Sequence, residues 1–231
     1  MDRLFQKATL FAVAPFAAWM ALMFLLPPGA SGYALRTLAS AVALFAAWVH
    51  FARKSPLDMS AARCDGESRS AGIVWGVLAG VAVTALWIAP EYLPLYRQWC
   101  IIGDVPSPCE VQNSAYDPDV CGWALTVLRI AGSAFIIAPA EELFFRAYLY
   151  RRLQGEQWRK VDRRNFDLSA FLWTTGLFAL EHNRIVAALM AGAFYLFVYR
   201  RFGFLPAAVA HVVTNLLLAL FVLYTGAWAF W

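Results

Sequence analysis

Charge is what this chain lacks. Of its 231 residues only 15% are Asp, Glu, Lys or Arg and 61% are apolar, against about 25% and about 45–50% in an ordinary soluble domain. A water-soluble globular fold is therefore excluded. The shortage is concentrated, since residues 8–26, 71–90 and 202–231 hold no charged side chain. Runs of roughly 20 such residues are long enough to cross a bilayer as helices. The chain also lacks internal repeats, low-complexity tracts, a nucleophile elbow and a His-Glu-x-x-His pair. Its net charge of +4 is no nucleic-acid signal, because the basic residues fall in short clusters between apolar spans. Arg3 and Lys7 precede the first apolar run as they would in a signal peptide. That run is long and has no small-x-small cleavage site, so it reads as a retained first span.

What is present are apolar blocks at about residues 8–26, 33–51, 71–89, 127–150, 168–180, 185–199 and 204–224, separated by Pro, Gly and polar stretches. They predict an all-α, polytopic integral membrane helical bundle of about seven transmembrane helices, forming one domain over residues 1–231. Lys and Arg set the orientation. Fourteen of the nineteen cluster at residues 3–7, 53–69, 151–164 and 200–201. Only Arg36, Arg97, Arg129 and Arg184 fall on the other side, with Arg146 inside a span. The N-terminus is expected in the cytoplasm and the C-terminus outside, with an extracytoplasmic loop at 91–122. That loop carries Cys100, Cys109 and Cys121, while Cys64 lies inside. Two of the three outer cysteines can pair in a periplasm or lumen; the spacing does not say which, and it fits no zinc motif.

Ionisable residues inside membrane helices are costly unless they face a protein interior or a water-filled cavity, so each marks a candidate site. The first cluster is Pro139-Ala-Glu141-Glu142-Leu-Phe-Phe-Arg146. Glu142 and Arg146, four apart on one helical face, can neutralise each other and serve packing. Glu141, turned about 100° away, is left without that partner and suits general-base work. The second is Phe178-Ala-Leu-Glu181-His182-Asn183, where the bland alternative is a solvated turn. The third is His211-Val-Val-Thr-Asn215 in an uncharged stretch. His211 and Asn215 share a face and can both donate toward one point; a lone membrane His more often bonds a neighbouring helix.

At about 1.5 Å per residue, the three clusters can meet at mid-depth. Together they make a kit for water-mediated acyl hydrolysis: Glu141 takes a proton from water, His182 orients that water, and His211 and Asn215 bind the oxyanion.

These three motifs, in this order on apolar helices over roughly residues 130–220, resemble those of the CAAX protease and bacteriocin-processing family of glutamic intramembrane endopeptidases, which includes the type II CAAX prenyl endopeptidases. The resemblance implies that Glu141 and His182 activate water, that His211 and Asn215 form the oxyanion hole, and that Glu142 and Arg146 support the site, with catalytic core helices at 127–220. Ala147 stands where members often have Gly. The Leu-Glu181-His182-Asn183 wording and the aromatic end at 226–231 are more similar to a bacterial subgroup found with exosortase-type C-terminal sorting systems. That implies a bacterial inner membrane and sets prenylated substrates aside.

The expected partners are the lipid bilayer and a membrane-anchored protein or peptide substrate cleaved near its C-terminus, with no nucleic acid and no cofactor. Zinc held by Glu141, His182 and His211 remains an alternative. So do a non-catalytic scaffold or immunity protein of the same fold, and a transporter. Substrate, cleaved bond, face of entry and oligomeric state are not legible.

Overall fold

In hydrocarbon a backbone N–H or C=O finds no partner outside its own segment, so each charge-poor run must close its hydrogen bonds internally as a helix. The computed structural model describes residues 3–53, 69–100, 105–108, 110–111 and 114–231. Its main helices are α1 (Arg3–Leu25), α2 (Ala30–Arg53), α3 (Arg69–Ile88), α4 (Trp123–Gln154), α5 (Leu168–Leu180), α6 (Ile185–Phe202) and α7 (Phe204–Thr225). No strand occurs among the described residues. The chain is an integral membrane protein with a polytopic helical bundle, as the composition anticipates.

Six of these helices are long and apolar enough to cross a membrane. The seventh apolar run is shorter: α5 has 13 residues, about 20 Å of helix, against the ~30 Å hydrocarbon layer. Asp167 caps its start, accepting from Ala170 N at 2.7 Å. Its far end turns at residues 181–184 and returns as α6. Because α5 stops short, that turn is held inside the protein, and Arg184 within it is buried.

Two close contacts set the frame. α1 and α2 pair, with Ser40 Oγ donating to Pro15 O at 2.8 Å. α3 and α7 approach more tightly, through Gly76 and Gly80. A Cβ at Gly80 would lie 2.6 Å from Ala210 O and one at Gly76 2.5 Å from Pro206 O. Glycines four apart let two membrane helices touch backbone to backbone, and Thr214 Oγ1 donates across the seam to Gly80 O at 3.1 Å. The outward faces stay apolar and exposed, with Leu38, Phe45, Trp75, Leu78, Leu172 and Trp173 among them, as lipid contact requires.

The 91–122 segment carries short helices at Pro94–Cys100 and Pro118–Cys121. Cys121 has a free thiol, so it takes no part in a disulfide. Cys64, Cys109 and the side chain of Cys100 lie outside the described residues.

Candidate active site

α4 does not run as one uniform helix. It widens into π-type turns over Gly132–Ile137 and again over Glu142–Leu149, with a short regular stretch, Ala138–Glu141, between them. Pro139 supplies a local cause: it has no N–H to give, and its ring crowds the preceding turn. The backbone opens around it, so that Ala138 N–H reaches Ser133 O, five residues back. Such bulges recur at functional sites, and here one begins at Glu142.

The Glu142–Arg146 pair forms as the spacing anticipates, with Arg146 Nη1 3.1 Å from Glu142 Oε1 and both side chains sealed from solvent. Arg146 also lies over the Phe178 ring at 4.2 Å and reaches Gly192 O at 3.4 Å. Sequence spacing does not reveal the next link. Glu142 Oε1 also meets His211 Nδ1 at 3.0 Å, and Glu141 Oε2 stands 3.7 Å from the other ring nitrogen, Nε2. Adjacent carboxylates thus hold one imidazole from both ends. Tyr195 stacks on that ring at 4.5 Å and Phe178 meets it edge-on at 5.9 Å.

This geometry constrains the protons. An ionised carboxylate only accepts, so His211 Nδ1 carries the hydrogen that Glu142 takes. A neutral ring then presents a bare Nε2, and His211 donates into the cavity only when it holds a second proton. His182 is fixed in a similar way: its Nδ1 is 2.8 Å from Phe178 O, and a carbonyl also only accepts, so its Nε2 is the acceptor. His182 lies in the turn beyond α5. Burial pulls its imidazole down to about 4, against the Phe178 hydrogen bond, which favours the charged ring. Asn215 Nδ2 donates to Ser133 O at 3.0 Å, which leaves its second N–H free to donate elsewhere.

Glu141, His182, His211 and Asn215 all line one cavity of about 260 Å³. Glu142 and Arg146 stand behind it. Glu141 Oε2 is buried and accepts no hydrogen bond from the described residues, His211 Nε2 at 3.7 Å being its nearest charged or ionisable neighbour of opposite sign. Trp19, Trp87 and Trp231 contribute apolar walls.

Two features escape the sequence reading. Glu181, for which a solvated turn was the bland alternative, lines the same cavity, and burial pushes its carboxyl up to about 8 while Arg146 pulls it the other way. Arg184 is no solvated residue either. It binds the buried Glu91 at 3.1 Å, which also takes Arg97 at 2.6 Å. Arg184 further donates to Ala229 O at 2.9 Å and lies over Phe230 at 4.4 Å, holding the aromatic segment whose Phe230 and Trp231 line the cavity. The available signal was that a charged run closes an otherwise uncharged short helix.

Among the described residues no three His, Cys, Asp or Glu side chains are grouped closely enough to hold a metal ion.

Residues 123–217 match the family model described as type II CAAX prenyl endopeptidase Rce1-like. The match begins with α4 and ends two residues past Asn215, so it contains all three polar clusters. No curated protein and no solved structure matches the chain.

Proposed function

We propose that this chain, whose residues 123–217 match the Rce1-like type II CAAX prenyl endopeptidase family model, is an intramembrane endopeptidase of the glutamic type, cleaving a peptide bond of a membrane-associated protein near its C-terminus. The observation that carries this reading is the unpartnered Glu141 Oε2 in a cavity shared with two histidines and an amide.

In this reading a water sits between Glu141 and His182. His182 Nε2 accepts one of its hydrogens and so fixes its orientation, while Glu141 removes the other as the oxygen attacks the substrate carbonyl. Negative charge develops on the carbonyl oxygen, where a donor aimed in advance is worth most. The spare N–H of Asn215 and the Nε2–H of a doubly protonated His211 supply it. Glu142 makes the second proton on His211 tolerable by facing Nδ1 at 3.0 Å, and Arg146 holds Glu142 in place at 3.1 Å. The aromatic walls restrict bulk water, which strengthens each of these interactions. No step calls for a metal.

The test uses purified protein in liposomes with a quenched-fluorescence library of lipid-anchored peptides, comparing wild type with Glu141→Ala and His211→Ala, with and without a strong chelator. The expected result is cleavage by wild type alone, unchanged by chelation. Loss on chelation moves the assignment to a zinc protease. Variants that cleave as well as wild type move it to a scaffold or immunity role.

A further inference from the structure

Peptide hydrolysis needs an acid as well as a base. When the tetrahedral intermediate collapses, the amine leaves as an unstable anion unless a proton reaches its nitrogen. The donors around the cavity can be counted from their bonding. His182 has its hydrogen on Nδ1, given to Phe178 O, so its Nε2 offers only a lone pair. His211 Nδ1–H is committed to Glu142, and its Nε2–H is engaged by the oxyanion. Asn215 donates hydrogen bonds but has no proton to transfer. Of the carboxyl groups that line the cavity, Glu141 and Glu181 remain.

Glu181 lines the cavity from the turn after α5, on a different element from Glu141 in α4. Its carboxylate has no hydrogen-bond or ion-pair partner among the described residues. Two carboxylates sharing a small, water-poor site do not both ionise at low cost; one keeps a proton, and the pair divides into base and acid. Glu141, 3.7 Å from His211 Nε2, is the one placed to be the anion. Glu181, beside the neutral His182, is the one placed to be the acid.

We propose that Glu181 is the general acid of this site, giving its proton to the nitrogen of the leaving amine. The proposal rests on the endopeptidase reading above. The step balances. Water divides into hydroxide, which bonds the carbonyl carbon, and a proton, which Glu141 takes. The C–N bond breaks and its electron pair stays on nitrogen, which receives the proton of Glu181. Glu141 then holds a proton and Glu181 a negative charge, and transfer of the proton from one to the other through a water restores the starting state.

The test exploits the leaving group. A lipid-anchored peptide cleaved by wild type is paired with its depsipeptide, in which an ester oxygen replaces the nitrogen of the cleaved bond. An alkoxide leaves with far less help from an acid than an amine does. Glu181→Gln is expected to slow cleavage of the amide by about 100-fold or more, the scale of general acid catalysis, and of the ester by less than about 10-fold. Glu181→Asp restores part of the amide rate. Retained ester turnover reports that the variant is folded. Equal losses on ester and amide overturn the proposal and make Glu181 a structural residue. Glu141→Gln serves as the second control and is expected to lose both activities. If wild type cleaves neither bond type, the endopeptidase reading itself fails and this inference with it; if wild type cleaves and only the Glu181 pattern is wrong, the inference fails alone.

Discussion

Arg146→Met isolates the interaction on which the site's electrostatics rest. The guanidinium is fully enclosed; Glu142 Oε1 lies at 3.1 Å, and among the described residues the only other polar contact is a long one to Gly192 O. Methionine keeps much of the side chain's bulk against Phe178 and removes the charge. Glu142, itself wholly buried, is then left as an anion facing only His211. Breaking a buried pair on one side costs about 3–5 kcal/mol, because the surviving charge loses its compensation without regaining water. Unfolding midpoints in mixed micelles, followed by tryptophan fluorescence during titration with a denaturing detergent, measure this directly. Glu142→Gln/Arg146→Met, with no charge left to strand, is expected to recover about 1–3 kcal/mol of that loss as coupling between two residues in contact. A cost below about 1 kcal/mol, the range of solvent-screened surface pairs, or a double variant no milder than Arg146→Met, would show that the pair is not desolvated.

Two further outcomes follow from the packing and the charge pattern. Gly80→Val forces side-chain atoms into Ala210 O and Val213, next to His211; overpacking costs about 1–3 kcal/mol. The midpoint falls, and turnover per folded molecule falls with it. Gly76→Val, which strikes α7 at Pro206, lowers the midpoint but spares turnover; equal turnover losses would rule out a specific role for the Gly80 contact. The orientation expected from Lys and Arg places Cys121, a free thiol, outside. With the other three cysteines replaced by serine, a membrane-impermeant maleimide should label Cys121 in right-side-out vesicles and not in inverted ones, and the reverse pattern would invert the topology.

The helices were legible because hydrocarbon leaves the backbone no alternative: a charge-free run of 20 residues must satisfy its own hydrogen bonds. Length was legible too, yet α5 was given equal standing with the others, because an apolar run of 13 residues reads the same whether it crosses or stops short. What distinguishes it is the charged turn that follows, since Glu181 and Arg184 find their surroundings inside the protein rather than in the outer aqueous phase. The glycine pair in α3 was visible as letters, but its partner was not. That Gly80 meets Ala210 O depends on which helices are neighbours, and a one-dimensional pattern of apolar residues carries no such information.

The site divides along the same line. Spacing of three or four residues captures what one helix brings together, hence the Glu142–Arg146 pair. It fails where the helix departs from 3.6 residues per turn. In a regular helix Glu141 and Glu142 diverge by about 100°, which suggested that one was catalytic and the other structural. In the widened α4 the two carboxylates reach opposite nitrogens of a single imidazole, at 3.7 and 3.0 Å. That arrangement changes the chemistry asked of His211. Bound to a carboxylate at Nδ1, a neutral ring is an acceptor at Nε2 and cannot stabilise an oxyanion, so donation requires the doubly protonated ring and hence an anion on each side of it. In the proposed mechanism Glu142 is therefore part of the proton inventory as well as a packing partner, which separates its role from that of Arg146. Replacing Glu142 with Gln strands the Arg146 charge and, by offering an amide N–H to Nδ1, also lets the neutral ring move its hydrogen to Nε2, whereas Arg146→Met leaves the tautomer as it is.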